Sequence, residues 1–252
     1  MIKFRLVILR ISGLAFFLLA WQIISFLGIF DSTLFPSPSR TFSALSNFFM
    51  NRNLIQDIGY TLMRVFSGFF IATIFGILFG LIIGVNKSLY TAFEWLIDFF
   101  RSIPVVTIYP IFILLFGISH STKMAMVFWA TFWVITLNVA YGVRQSNKLR
   151  TEVAKVYKAS KMQSFIWITF FEALPHTLIG MRIAISIALL AEIMSEMFMG
   201  ANYGIGQRIF EANARLSTPD LYALVITTGI IGITINRLFA FLEKKTIPWA
   251  GK

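Results

Sequence analysis

The chain has 252 residues, of which 58% are hydrophobic and 13% charged, and its net charge is +11. A soluble domain carries about a quarter charged residues, so this chain lacks the polar surface to face water and is read as an all-α integral membrane protein. It has no cysteine and only two histidines, His120 and His176, which argues against thiol, haem, iron–sulfur and most metal chemistry; no catalytic residue, metal or bound cofactor is expected.

The first apolar run, 11–30, follows Lys3, Arg5 and Arg10. It is longer than the roughly 7 to 15 residues of a signal-peptide core and no A-x-A-like site follows it, so it is expected to remain as a first helix. Further spans at about 62–86, 98–118, 123–143, 175–199 and 220–242 approach the length needed to cross a hydrocarbon core. Together they make one domain, 1–252, with six transmembrane helices. Between the first two, Ser39 is expected to cap a short interfacial helix that starts near Arg40.

In the second span Gly68, Ala72, Gly76, Gly80 and Gly84 recur every four residues. Residues at that spacing share a helix face, and small ones let another backbone approach closely. Packing inside the chain is expected, more than a dimer seam. The third span opens with Asp98 and Arg101 one turn apart and contains Pro104 and Pro110, both expected to break the helix. Irregular backbone at membrane depth survives only where it is buried in protein or lines a cavity, so Ser102, Thr107 and Tyr109 are candidates for a translocation pathway. The fifth span carries Glu192 and Glu196 on one face. Intramembrane carboxylates are costly and usually functional; they either line the pathway or pair with a polar group on another helix.

With six spans and the N-terminus inside, thirteen lysines and arginines fall on inner segments and five on outer ones. Cytoplasmic loops are enriched in these residues, so both termini are expected in the cytoplasm of a bacterial-type inner membrane. The positive charge then reads as topology and contact with anionic lipid. Its dispersal among spans, with no single basic patch, leaves no footprint for nucleic acid.

The loop 144–174 stands out as basic and mixed in polarity. On a helical wheel Val153, Val156, Tyr157 and Ser160 cluster on one side and Lys155, Lys158 and Lys161 on the other. Such a helix suits either an anionic leaflet or a groove on a soluble partner.

E-V-A at 152–154, KAS at 158–160, ALP at 173–175 and GMRIAI at 180–185 resemble the cytoplasmic EAA loop of binding-protein-dependent ABC transporter permeases. The resemblance runs in order through LFPSPSRTFSAL, TLMRVFSGF, RSIPVVTIYPIFILLFGIS, the Ala191–Glu192 pair, YGIG at 203–206 and LEKKTIPW, and is strongest to the nitrate, sulfonate and taurine branch. It implies a type I importer subunit working beside a second permease, identical or related, with soluble ATPase subunits and an extracytoplasmic binding protein as partners. The loop becomes a coupling helix, with Glu152, Ala154, Ala159 and Ser160 at the ATPase contact and Tyr157 added from the apolar ridge. ATP and Mg would belong to the partner, since the chain has no GxxxxGK[ST] phosphate loop. Two positions depart from the family's loop: Lys158 stands where glycine is usual, and Phe171 where a first proline is usual, although Pro175 is kept. Glycine takes positive φ at little steric cost, so the turn at Lys158 is expected to be reshaped.

The solute implied is a small anion such as nitrate, a sulfonate or taurine, or a vitamin precursor. Arg101 and Arg182 would suit an anion, whereas Glu192 would not. The alternative is an ion-coupled secondary transporter using Glu192 and Glu196.

Overall fold

The computed structural model describes residues 2–50, 52–146 and 148–247. Lys252 and the Pro248–Trp249 end of LEKKTIPW lie outside the described residues, as do the side chains of Lys3, Arg5, Arg10, Arg52 and Lys148. The helices in chain order are α1 (Ile2–Phe26), α2 (Pro38–Met50), α3 (Arg52–Val85), α4 (Lys87–Ser102), α5 (Val105–Phe116), α6 (His120–Arg144), α7 (Lys148–Val156), α8 (Lys161–Ser164), α9 (Phe171–Met199), α10 (Ile205–Ala214) and α11 (Thr218–Thr246). A π-helical turn, Phe165–Phe170, joins α8 to α9, and no strand occurs among the described residues.

Four stretches are long and apolar enough to cross a bilayer: α3, α6, the continuous Lys161–Met199 run and α11. α4 and α5 form a fifth only as a pair bent by 92°, and α1 adds a shorter apolar segment, Ile11–Phe26. The pair takes the place of the proline-broken span expected at 98–118. It begins a full eleven residues earlier, at Lys87, because the Asn86 side chain accepts from the backbone N–H groups of Ser88 and Leu89 at 2.9 and 3.2 Å and so caps a new helix.

Only one of the two prolines breaks the chain. A residue before proline is pushed out of the α region, and Ile103 is extended at φ −74°, ψ 119°, which ends α4 and lets Pro104 open α5. Pro110 lies inside α5 without interrupting it. The cap of α2 also differs from expectation. The Ser37 hydroxyl, not that of Ser39, accepts from the Arg40 N–H, at 3.4 Å, and Pro38 takes the first helical position, where its missing N–H costs nothing.

The glycine stripe of α3 packs on α6. A Cβ on Gly68 would overlap Val127, one on Gly76 would press on Ile135, one on Gly80 would overlap Val139 and one on Gly84 would overlap Val143. These contacts advance together along both helices, so α3 and α6 run parallel. The chain between them must therefore return to the side where α3 began, and the bent α4–α5 pair supplies that return. The α6–α9 pair is closed the same way, with Gly142 against Ala173 and His176, and Gly180 against Asn138; here the numbering runs oppositely and the helices are antiparallel. Val65, Phe69, Ala72, Val127, Ile135, Val139, Ala184 and Ile185 fill the space among the three. α11 lies at the periphery, mostly unburied within this chain.

Candidate functional site

The helix directions gather the start of α3, the start of α6 and the end of α9 at one pole of the bundle. Asp57, Thr61 and Arg64 share a face of α3 at helical spacing, and all three are buried. They meet Glu192 and Glu196 of α9, which are both fully enclosed.

Arg64 is the hub. Its Nη1 donates to Glu196 Oε1 at 2.5 Å and lies 3.5 Å from Glu192 Oε1, its Nη2 donates to the Tyr203 carbonyl at 3.0 Å, and its Nε donates to His120 Nδ1 at 2.9 Å. The planar guanidinium presents five donors in a fixed fork, which suits it to join three chain segments at once. Tyr203 also stacks on Tyr60, ring centroids 5.1 Å apart.

The first N–H groups of a helix have no intrahelical acceptor, and at the head of α10 side chains from two other helices accept them. Gly204 donates to Asp57 Oδ1 at 2.8 Å, Ile205 to Thr61 Oγ1 at 3.0 Å and Gly206 to Glu196 Oε2 at 2.8 Å. This explains the YGIG sequence. Gly204 has φ 154° and a Cβ there would overlap the Glu196 carboxyl group, while a Cβ on Gly206 would overlap the Ile193 carbonyl. Arg208, one turn further, donates to Asp57 Oδ2 at 2.7 Å. That carboxylate raises the proton affinity of the Arg208 guanidinium above its ordinary value, against a smaller opposing effect of burial.

Of the residues read as pathway candidates, Glu192 and Glu196 belong to this cluster, paired across to α3. Ser102, Thr107 and Tyr109 flank the α4–α5 bend. The Ser102 and Thr107 hydroxyls donate to the Asp98 and Pro104 carbonyls, each at 2.7 Å, and Tyr109 stacks on Phe198, centroids 6.1 Å apart, near the end of α9. The partner of the two glutamates, Arg64, was visible in the sequence only as the R of TLMRVFSGF. A lone arginine in one apolar segment and lone carboxylates in another were the signal that the three belong together.

The opposite pole holds α7 and α8. α7 ends in a Schellman motif: the Ala159 N–H donates to the Ala154 carbonyl at 3.0 Å and the Lys158 N–H to the Lys155 carbonyl at 2.9 Å. That motif requires a left-handed residue, and Lys158 takes φ 56°. The turn is therefore formed in the glycine-like geometry without glycine, contrary to the reshaping expected. Ser160 then starts α8 with a reciprocal capping box: its hydroxyl accepts from the Gln163 N–H at 3.2 Å, and its own N–H donates to Gln163 Oε1 at 2.8 Å. Glu152 pairs with Lys155 at 3.1 Å, and Arg150 ties α7 to Glu172 of α9 at 3.0 Å. Val153, Val156 and Tyr157 project outward, Tyr157 being 82% exposed.

The chain belongs to the binding-protein-dependent transport system inner membrane components, whose family match covers residues 72–248: it is a permease subunit of the ABC importer class. It is 32% identical over 249 residues to the bicarbonate transport system permease protein CmpB of Synechococcus elongatus, covering 94% of this chain and 88% of that protein. It is 30% identical over 245 residues to the nitrate import permease protein NrtB of Synechocystis sp., with the same coverage of each. In structure it is similar to a chain of the MetNI methionine ABC transporter in an inward-facing conformation, with a TM-score of 0.62 at 20% identity over 81% of this chain and 98% of that one. That likeness concerns the fold.

Proposed function

We propose that this permease crosses the cytoplasmic membrane six times, with α1 as the first span and both termini inside, and conducts a small anion of the nitrate, bicarbonate or sulfonate kind. In this reading α7 and α8 are the coupling helix, and they dock through Glu152, Ala154, Tyr157, Ala159 and Ser160 on a soluble ATPase that binds ATP and Mg. A second permease, identical or related, completes the pathway, and an extracytoplasmic binding protein loads it at the pole that holds Arg64. Ser102, Thr107 and Tyr109 border the pathway at the α4–α5 bend, and Glu192 and Glu196 act on it through the 200–206 loop, which Glu196 holds directly and Glu192 through Arg64.

The observation that carries this reading is the exposed apolar ridge of Val153, Val156 and Tyr157 on a short helix fixed by caps at both ends of its turn. Apolar side chains on a rigid helix in water are a docking surface. Cation coupling is not favoured at Glu196, whose oxygens are both engaged by Arg64, Thr61 and the Gly206 N–H, and Glu192 beside it faces the Arg64 guanidinium.

The test is affinity purification of the tagged chain from its native operon in mild detergent, with mass spectrometry of what accompanies it. An ATPase subunit at fixed stoichiometry is expected, and it should be lost in Tyr157→Asp and Ala159→Asp. Absence of any ATPase from the intact chain under conditions that preserve the membrane complex would overturn the coupling assignment.

A further inference from the structure

Against the outer side of the Arg64 cluster lies a half-open cavity of about 540 Å³, bounded by the start of α6, by Tyr60 and Arg64 of α3, and by the 199–203 segment. Three basic residues, Arg64, His120 and Lys123, line it and no Asp or Glu does. Lys123 is only 3% exposed, yet among the described residues it makes no hydrogen bond or ion pair. Its Nζ is not sealed among the buried unpartnered polar atoms, so the ammonium remains accessible at the cavity wall. Glu192 and Glu196 attract it at longer range, but the Glu196 oxygens are turned to Arg64, Thr61 and Gly206 and those of Glu192 to Arg64 and Ser195.

His120 adds a directed donor. Its Nδ1 accepts from Arg64 Nε, so in the neutral ring the proton sits on Nε2. The side chain is exposed on the cavity wall, and its Nε2–H is free to donate.

We propose that this cavity is a binding site for one small oxyanion, held by Lys123 Nζ and the His120 Nε2–H, with the Arg64 charge behind them. What the anion does there rests on the importer reading, as a station on the pathway at the pole where solute is loaded. The binding itself does not rest on it.

The test uses the full chain in phosphatidylcholine nanodiscs without ATPase, with thermal unfolding followed by tryptophan fluorescence. Sodium nitrate, bicarbonate or methanesulfonate is compared with sodium gluconate at equal ionic strength, because a ligand that binds only the folded state raises Tm in a saturable way. At least one of the three small anions is expected to raise Tm saturably over gluconate. The rise should vanish in Lys123→Met, persist in Lys123→Arg and weaken several-fold in His120→Gln. No anion-specific rise in the unaltered chain overturns the site whatever the variants do, and an equal rise in Lys123→Met overturns its assignment to Lys123. A rise seen only when phosphatidylglycerol replaces phosphatidylcholine, and with none of the added anions, assigns the cavity to a lipid phosphodiester and overturns the solute site. Because no ATPase is present, failure here leaves the co-purification result standing, and the reverse also holds.

Discussion

Arg64 and Glu196 stand 132 positions apart in the chain and meet at 2.5 Å in the interior of the bundle. Removing one member of a buried ion pair strands the other, at a cost of about 3 to 5 kcal/mol. Arg64→Met should therefore lower the thermal unfolding temperature of the purified chain sharply, and adding Glu192→Gln and Glu196→Gln should recover part of the loss. An Arg64→Met chain that melts like the parent would mean that the pair contributes nothing to stability.

The glycine stripe makes a second prediction. A Cβ on Gly80 would come within 2.7 Å of the Thr136 carbonyl and of the Val139 Cβ, and overpacking of this sort costs about 1 to 3 kcal/mol. Gly80→Ala should destabilise the chain by about that amount, while Gly59→Ala and Gly229→Ala, where nothing lies within 4 Å, should not. Comparable melts for all three would remove the stripe's packing role.

The left-handed backbone at Lys158 makes the third. An L-residue pays about 1 to 2 kcal/mol to sit there, and glycine recovers most of it less its own entropic cost. Lys158→Gly should slow amide hydrogen exchange across 148–164, and Lys158→Val, branched at Cβ, should speed it. The opposite order would show that the turn is not left-handed in solution.

Ser160 gives the fourth. Loss of an N-cap hydroxyl costs about 1 kcal/mol, so Ser160→Ala should speed exchange in the same peptides while Ser160→Asp, also a good cap, should leave it near the parent's. If Ser160→Ala exchanges like the parent, the capping box has no part in ordering α8.

Much of this was legible in the sequence because it rests on local pattern. The four-residue spacing of small residues identified the packing face of α3, and apolar length found the α3, α6, α9 and α11 spans, since both depend on helical periodicity alone. What required the fold was the matching of distant groups. Glu192 and Glu196 were conspicuous, but Arg64 could be named as their partner only once the parallel course of α3 and α6 brought its face toward α9. Lys123, at the edge of the 123–143 span and one of the five basic residues counted on outer segments, is buried in the first turns of α6. The α4–α5 bend was half legible: proline marks the break through the residue before it, yet nothing local tells Pro104, where the chain turns, from Pro110, which the helix absorbs. Lys158 shows the limit of residue preference, because two backbone hydrogen bonds of the Schellman motif hold a lysine where propensity asks for glycine.

The helix from Lys161 to Met199 runs 39 residues without a loop, about 58 Å at 1.5 Å per residue. Its first residue follows Ser160, and its last turns hold Glu192 and Glu196. It is thus one continuous helical run between the two poles, from the capped turn to the carboxylates, of which Glu196 holds the Gly206 N–H directly. Two features interrupt its hydrogen-bond ladder near the base: the π-helical turn at Phe165–Phe170, where the ladder is wider and less regular, and Pro175 inside α9, which has no N–H to donate. Both interruptions lie at the end nearer the capped turn, so the longer part of the run, up to Glu192 and Glu196, is regular helix.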